Sequence, residues 1–340
     1  MEHVFVTGGA GFIGSHFVKR ILAADDVATV TVLDALTYAG HIENLGTAFL
    51  SSKLTFVHGN ILDAELVDGL MANRTTVVHF AAESHVDRSF FAAGAFLETN
   101  VRGTQTLLDA AMRHEVSKFV HVSTDEVYGP LLEGTATEEF PLRPSVPYAA
   151  AKAASDLVAL SYWQTYGVPV CVTRSSNNYG PYQHPEKIIP LFITRLLRGE
   201  PVTVHGRGEH VRNWLHVEDN CAGVEAVLRG GVPGEVYNLG GGTDLTGREL
   251  TERLLRICGA TWDAVTYVPD RPANDMRYSI DWSKASVQLG YRPVRDLEDG
   301  LAEAAYWYRR NPDRWAPLMR NPQAAPLLAR RVVPAAPAGR

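Results

Sequence analysis

At 340 residues and 46% hydrophobic content, the chain has enough apolar material for one large domain or two modest ones. Its net charge of −6, with Lys and Arg scattered, excludes the clustered basic surface that nucleic-acid phosphates require. Cys171, Cys221 and Cys258 lie far apart with no C-x-x-C, so neither a disulfide framework nor a zinc site is expected, and a reducing compartment is. Met1-Glu2-His3 runs straight into Val4-Phe5-Val6, which leaves no room for a signal peptide, and no stretch reaches the roughly 18 apolar residues of a membrane span. The expected setting is cytoplasmic, with no membrane or nucleic-acid partner and no metal.

In chain order, the first strand is expected at residues 4–7, followed at once by Thr7-Gly8-Gly9-Ala10-Gly11-Phe12-Ile13-Gly14. Ile13, Phe17 and Ile21 then recur at helical spacing. A glycine turn between strand and helix lets the backbone approach a pyrophosphate closely and points the helix N-terminus at it. A second strand at 30–33 ends at Asp34, about 20 residues beyond the loop, where a carboxylate accepts hydrogen bonds from a ribose diol. The same charge repels a 2′-phosphate, and no Arg follows in Ala35-Leu36-Thr37, so NAD is favoured over NADP.

Further β-branched runs at 54–58, 76–80, 119–123 and 168–173 alternate with amphipathic stretches, the rhythm of repeated βα units around a parallel sheet. The fifth run leads into Ser123-Thr124-Asp125-Glu126-Val127-Tyr128-Gly129. Two carboxylates and a hydroxyl at a strand's carboxyl end either face the crevice where open α/β sheets bind ligands or form a solvated loop or helix cap. Pro147-Tyr148-Ala149-Ala150-Ala151-Lys152 then opens an Ala-rich helix that sets Tyr148 and Lys152 one turn apart on one face. A lysine so placed lowers a phenol's pKa and prepares it to take a proton from an alcohol.

After about residue 175 the rhythm breaks. Asn177-Asn178-Tyr179-Gly180-Pro181-Tyr182 is turn-rich, and helices are expected at 188–198 and 248–258. The fold class is therefore α/β: a Rossmann-type doubly wound parallel sheet with a smaller mixed α/β C-terminal substrate lobe. The expected domains are 1–175 for the NAD-binding and catalytic part and 176–322 mainly for the lobe, with some segments returning to the sheet. Residues 323–340, rich in Pro and Ala, form a loose tail.

On these residues the chain resembles the extended short-chain dehydrogenase/reductase family, and within it the dTDP-glucose 4,6-dehydratases, from Thr7 to about Trp315. The marks are Ala81-Ala82-Glu83-Ser84-His85-Val86-Asp87-Arg88-Ser89, Ser123 to Gly129, and Asn177-Asn178-Tyr179-Gly180-Pro181-Tyr182-Gln183-His184-Pro185-Glu186-Lys187. The resemblance implies that Tyr148 and Lys152 serve oxidation at C4 of a nucleotide-activated hexose. It implies Glu126 as the base at C5, Asp125 as the acid at C6, and Thr124 as a hydrogen-bond partner of the 4-oxygen. Two adjacent carboxyl groups repel, so one can hold a proton at neutral pH. The expected product is a 4-keto-6-deoxy sugar, with NAD tightly bound and regenerated.

By the same resemblance the cofactor contacts are Gly8, Gly11, Phe12, Ile13 and Gly14 at the pyrophosphate, and Asp34, Ala35, Leu36 and Thr37 after the second strand. Asn60 and Ile61 flank the adenine, and Ala81, Ala82, Glu83, Ser84, Thr99, Tyr148, Lys152 and Asn178 line the path to the nicotinamide. The sugar-nucleotide set is Ser84, His85, Thr124, Asp125, Glu126, Asn177, Lys187, Arg212, Arg271 and Asp275. Guanidinium forks such as Arg212 and Arg271 match phosphate oxygens. The family's usual homodimer, a four-helix bundle, would use 101–112 and 152–166. Asn60 stands where the family usually has Asp, Arg271-Pro272-Ala273-Asn274-Asp275 lacks the usual Gly-His, and Gly247 replaces a common Asn. Alternatives in the same superfamily are a 4-epimerase or a UDP-glucuronate decarboxylase, which usually lack Asp-Glu after the Thr; an inactive nucleotide-binding regulator is an alternative of another class.

Overall fold

A computed structural model describes residues 2–73, 76–270 and 275–319; Arg271, Asn274 and the stretch 323–340 lie outside the described residues. The six runs of the first half are strands β1 (Glu2–Thr7), β2 (Val27–Asp34), β3 (Leu54–His58), β4 (Thr76–His79), β5 (Lys118–Thr124) and β6 (Val170–Ser175). The sixth begins at Val170 rather than Val168, since Pro169 has no N–H to give a ladder. Then come β7 (Asn177–Tyr179), β8 (Val202–His205), β9 (Val211–His216), β10 (Val236–Leu239), β11 (Thr243–Thr246) and β12 (Val265–Val268).

Seven strands form one sheet in the order β3-β2-β1-β4-β5-β6-β10, every pairing parallel. This is the doubly wound order with one strand added at the β6 edge. Side chains alternate between its faces. Val4 and Val6 pack with Phe17, Val18 and Ile21 of helix Phe12–Leu22 and with Val224 and Val227 of helix Val217–Gly230. Phe5, Val77 and Phe119 pack on the other face with Met71 of helix Ala64–Met71, Leu107 of helix Gly103–Arg113 and Ala159 of helix Pro147–Tyr166. Each large apolar side chain buried this way contributes about 1.5–3 kcal/mol. The helix Val217–Gly230 and β10 come from beyond residue 176, so the late chain completes the sheet's layers.

The remaining late segments have a core of their own. A three-stranded sheet, β11-β9-β7, and a two-stranded parallel one, β12-β8, are backed by helices Ile188–Leu197, Gly247–Cys258 and Leu297–Arg310. Ile189, Phe192, Trp214, Leu250, Leu254 and Tyr308 meet there. Residues 177–179, read as a turn, form strand β7 instead. Their backbone pairs in parallel with β9, from Asn177 opposite Trp214 to Tyr179 opposite His216, a partner local turn chemistry cannot announce.

The helix expected at 101–112 is α-helical only from Gly103 to Arg113, and Leu97–Arg102 winds as a π-helix. A Cβ on Gly103 would lie 2.4 Å from Ile61 Cδ1, so this residue lets the helix approach the chain after β3. The wider π turn carries Asn100, 1% exposed, and such turns occur often at functional sites.

Candidate active site

The carboxyl ends of the parallel strands converge beside β1, where the winding reverses between its neighbours β2 and β4. Gly8 follows β1 with φ of +71°, and a Cβ there would lie 2.5 Å from Ala81 N. A Cβ on Gly14 would lie 2.2 Å from Gly8 O. The helix opens at Gly11, whose missing side chain leaves it uncapped, and Phe12-Ile13-Gly14-Ser15 carries no carboxylate. Its first-turn amides and the positive end of its dipole therefore suit a diphosphate.

Asp34 closes this cradle. Its Oδ2 accepts from Ala10 N and its Oδ1 from Leu36 N, both at 2.8 Å. Each oxygen keeps a second lone pair for a ribose diol. Burial pushes Asp34 upward, and those two amides and the nearby His41 and His58 oppose the push. Leu36 takes a left-handed φ of +48°, turning Ala35-Leu36-Thr37 tightly around the carboxylate. These features fit NAD: a cradle that side chains would fill, followed at the end of β2 by a carboxylate that a ribose diol could bind. Asn60 uses its Oδ1 to accept from Leu62 N at 2.9 Å. Ile61 is 4% exposed and packs into the core, leaving its backbone as the part that could meet the adenine.

Between the cradle and the lobe, residues 81–85 form an extended loop after β4. Asn100 fixes it, donating from Nδ2 to Glu83 O at 3.0 Å and accepting from Glu83 N at 2.8 Å. Asn100 was missed in the sequence; its only local sign is adjacency to Thr99. Lys187 Nζ donates to Ser84 O at 2.8 Å. His85 Nε2 lies 3.7 Å from Glu186 Oε2, and Arg88 lies 3.2 Å from the same oxygen and stacks on Tyr38.

Thr124 ends β5 and caps the 3-10 turn Asp125–Tyr128, accepting from Glu126 N at 3.3 Å. The Thr124 hydroxyl also donates to Asp125 Oδ1 at 3.3 Å, and it opposes the upward push on the nearby Tyr148 phenol. Helix Pro147–Tyr166 starts with Pro at its first position, suited by its fixed φ. Phe96 meets the Tyr148 ring edge-on at 6.2 Å. Thr124, Asp125, Glu126 and Tyr148 thus form one cluster.

Its electrostatics separate the two carboxyl groups. Burial, then the charge of Glu126, pushes Asp125 up to about 8, against opposition from Arg212 and Thr124. Burial raises Glu126 too, but Lys187 and Arg212 oppose it. Of the two, Asp125 is the one pushed further toward its protonated form. The phenol differs from the sequence expectation that Lys152 lowers it. Burial and then Glu126 raise Tyr148, while Lys152 spends a donor on Val122 O at 2.7 Å and is drawn down to about 8 by burial.

On the lobe side, the Arg212 guanidinium stacks on the Tyr278 ring at 4.6 Å. Asp275 accepts from both Ser145 and Tyr278 hydroxyls. Tyr278 and Ser145 had no sequence signal, being remote from every motif. Asn177 Oδ1 and Asn178 Oδ1 are buried with no hydrogen-bond partner among the described residues, the kind of acceptor a ligand can satisfy. Gly247 starts a helix, and a Cβ there would meet Gly208 O at an ordinary 3.4 Å, so the space admits the side chain the family commonly has. Among the described residues, no group of three or more His, Cys, Asp or Glu could hold a metal ion. No described helix is long and apolar enough to cross a membrane.

Residues 5–304 match the family model described as GDP-mannose 4,6 dehydratase. A dTDP-glucose 4,6-dehydratase of Actinoplanes sp. is 54% identical over 317 residues, 92% of this chain and 99% of that protein. The crystal structure of DesIV, a dTDP-glucose 4,6-dehydratase from Streptomyces venezuelae with NAD bound, superposes with a TM-score of 0.92 at 53% identity, covering 93% of this chain and 99% of that one. A UDP-glucose 4-epimerase from Thermotoga maritima superposes with a TM-score of 0.84 at 31% identity, covering 91% and 99%. Backbone similarity therefore extends across different chemistries, and the site must separate them.

Proposed function

The chain belongs to the GDP-mannose 4,6-dehydratase family of extended short-chain dehydrogenases/reductases, and we propose that it is an NAD-dependent dTDP-glucose 4,6-dehydratase yielding dTDP-4-keto-6-deoxyglucose and water. The observation that carries this reading is the buried Asp125 and Glu126 pair beside Tyr148, in which burial and the Glu126 charge push Asp125 toward its protonated form while Lys187 and Arg212 oppose that push on Glu126. Residues 1–175 form the cofactor and catalytic part, and 176–322 mainly the substrate lobe, with 217–239 returned to the sheet.

When bound in the Gly8–Gly14 cradle against Asp34, NAD supplies a hydride acceptor at C4 and the hydride later delivered to C6. Tyr148 takes the proton of the 4-hydroxyl as its phenolate, a form that burial and Glu126 oppose and that the positive nicotinamide ring of bound NAD would favour, and Thr124 hydrogen-bonds the same oxygen. A ketone at C4 acidifies the C5 hydrogen, which Glu126 removes as a proton and gives back to C5 once the hydride has reached C6. Asp125 protonates the departing 6-hydroxyl, so water leaves rather than hydroxide. Lys187, Arg212, Arg271 and Asp275 are assigned to the sugar nucleotide, with Ser84, His85 and Asn177; the guanidiniums suit its diphosphate.

Purified protein offered dTDP-, UDP- and GDP-glucose should convert the dTDP substrate to a product lighter by one water, with the alkaline absorbance of a ketosugar. A product of unchanged mass inverted at C4 would instead make it an epimerase, and carbon dioxide released from UDP-glucuronate a decarboxylase. The family's homodimer is proposed as well. Leu97, Met112, Leu157 and Tyr166, on or beside the two helices of the expected bundle, are exposed apolar side chains, and a second copy would cover them. Light scattering at micromolar concentration should give twice the chain mass; the mass of one chain would refute the dimer. A cytoplasmic setting is proposed on the three cysteines, all free thiols.

A further inference from the structure

Behind Tyr148 and Lys152 lies a buried ion pair to which the reaction above gives no role. Asp156, one further turn along the same helix and 0% exposed, accepts from Arg174 Nε of β6 at 2.9 Å. Its other oxygen lies 3.3 Å from His121 Nε2 of β5. The same ring nitrogen is 3.1 Å from Ser155 Oγ, which donates to Lys152 O at 2.8 Å. Lys152 is itself 4% exposed. A buried charge is costly unless paired, and a buried ion pair often stabilises a fold no better than apolar residues of the same volume. An ion pair held at that cost one turn below a functional ammonium calls for a use.

We propose that Asp156 is the positioning residue of Lys152: one helical turn away on the same face, its buried carboxylate, fixed by Arg174, holds the ammonium for its part in the reaction. The proposal rests on the dehydratase reading, in which Lys152 acts as a cation beside Tyr148.

Beyond β5, Tyr128 accepts from Arg174 Nη1 at 3.0 Å and carries the guanidinium over its ring at 4.9 Å. On β4, His79 lies 5.3 Å, centroid to centroid, from His121 on β5; burial lowers both, His121 to about 4, so both rings are neutral near pH 7. Arg174 on β6 faces Asp156, and Tyr148 shares the helix. Burial draws Lys152 down, and the Asp156 charge is what opposes it. Burial pushes Asp156 up, yet His121, Arg174 and Lys152 together hold it below the ordinary carboxylate range. Asp156 is therefore an anion wherever the enzyme works.

The test follows the ammonium directly. The ζ-nitrogen resonance of Lys152 in 15N-lysine-labelled protein, assigned by its loss in Lys152→Met, is titrated in wild type, Asp156→Asn and Arg174→Gln. Removing the carboxylate should move the Lys152 midpoint about 1–3 units toward acid, the ordinary effect of one close charge. Removing the guanidinium, which offsets Asp156, should move it toward alkali. In single-turnover reduction of bound NAD, the alkaline limb of C4 oxidation should shift in the same two directions with KM little changed, and Asp156→Glu should restore it. Midpoints that stay put in both variants, or move the same way in both, would overturn the proposal and leave the ion pair a structural element. If none of the nucleotide hexoses reduces bound NAD in wild type, the dehydratase reading fails separately, and the nitrogen titration still decides the role of Asp156.

Discussion

Glu126→Gln protein is expected to bind NAD and oxidise C4 of its substrate, yet to exchange no C5 hydrogen with solvent. The amide keeps the length and polarity of the carboxylate but accepts no proton. Oxidation depends on Tyr148 and Thr124 instead, so reduced NAD should accumulate in a single turnover. Overall turnover should fall about 10²–10⁴-fold, the usual worth of a positioned base. Deuterium incorporation at C5, read by mass spectrometry in deuterated water, checks this. Exchange at the wild-type rate would remove Glu126 from the base role and move attention to Asp125.

Asp125→Asn is expected to have an effect of similar size on a later step, together with an opposite effect on stability. The amide cannot protonate a leaving hydroxyl, so water loss should slow about 10²–10⁴-fold while C4 oxidation is spared. As the proposed acid, Asp125 works protonated and is pushed up to about 8, so wild-type water loss should decline as pH rises through that value. The variant should lack that decline, its residual rate staying flat with pH.

Stability follows from the same displacement. The folded value lies above the ordinary carboxylate value, so between the two the native state binds more protons than the unfolded chain. Stability is thus fullest below the ordinary value and falls as pH rises toward about 8, by about 1.4 kcal/mol per unit at most. Asparagine carries no such penalty. Urea denaturation should therefore show the variant more stable than wild type at about pH 8, with the difference closing near pH 4. Equal stability at both pH values would mean that Asp125 is not held protonated by its surroundings.

The parts of the site readable from sequence are those whose chemistry is local. The glycine turn declares itself because a strand, closely spaced glycines and a helix start are contiguous, and Gly8 and Gly14 do sit where a Cβ would collide with backbone. Tyr148 and Lys152 are legible because helical spacing fixes their common face. Asn100 was not legible, because its inward position depends on a π turn. Tyr278 and Ser145 reach Asp275 only because distant segments meet there.

By itself, then, the sequence determined the parallel sheet of alternating units, the carboxylate of Asp34 at the end of β2 and the two carboxylates at the end of β5, since apolar period, turn chemistry and charge sign are properties of a few neighbouring residues. Only the tertiary structure decided which carboxyl group keeps the proton, where Lys152 spends its donor, that residues 177–179 are a strand, and that Arg174 and His121 enclose Asp156. The physical reason is shared by all four. Coulomb energy, desolvation and ladder pairing depend on spatial neighbours, and the pairing of β5 with β6, and of β7 with β9, selects neighbours that chain order does not name.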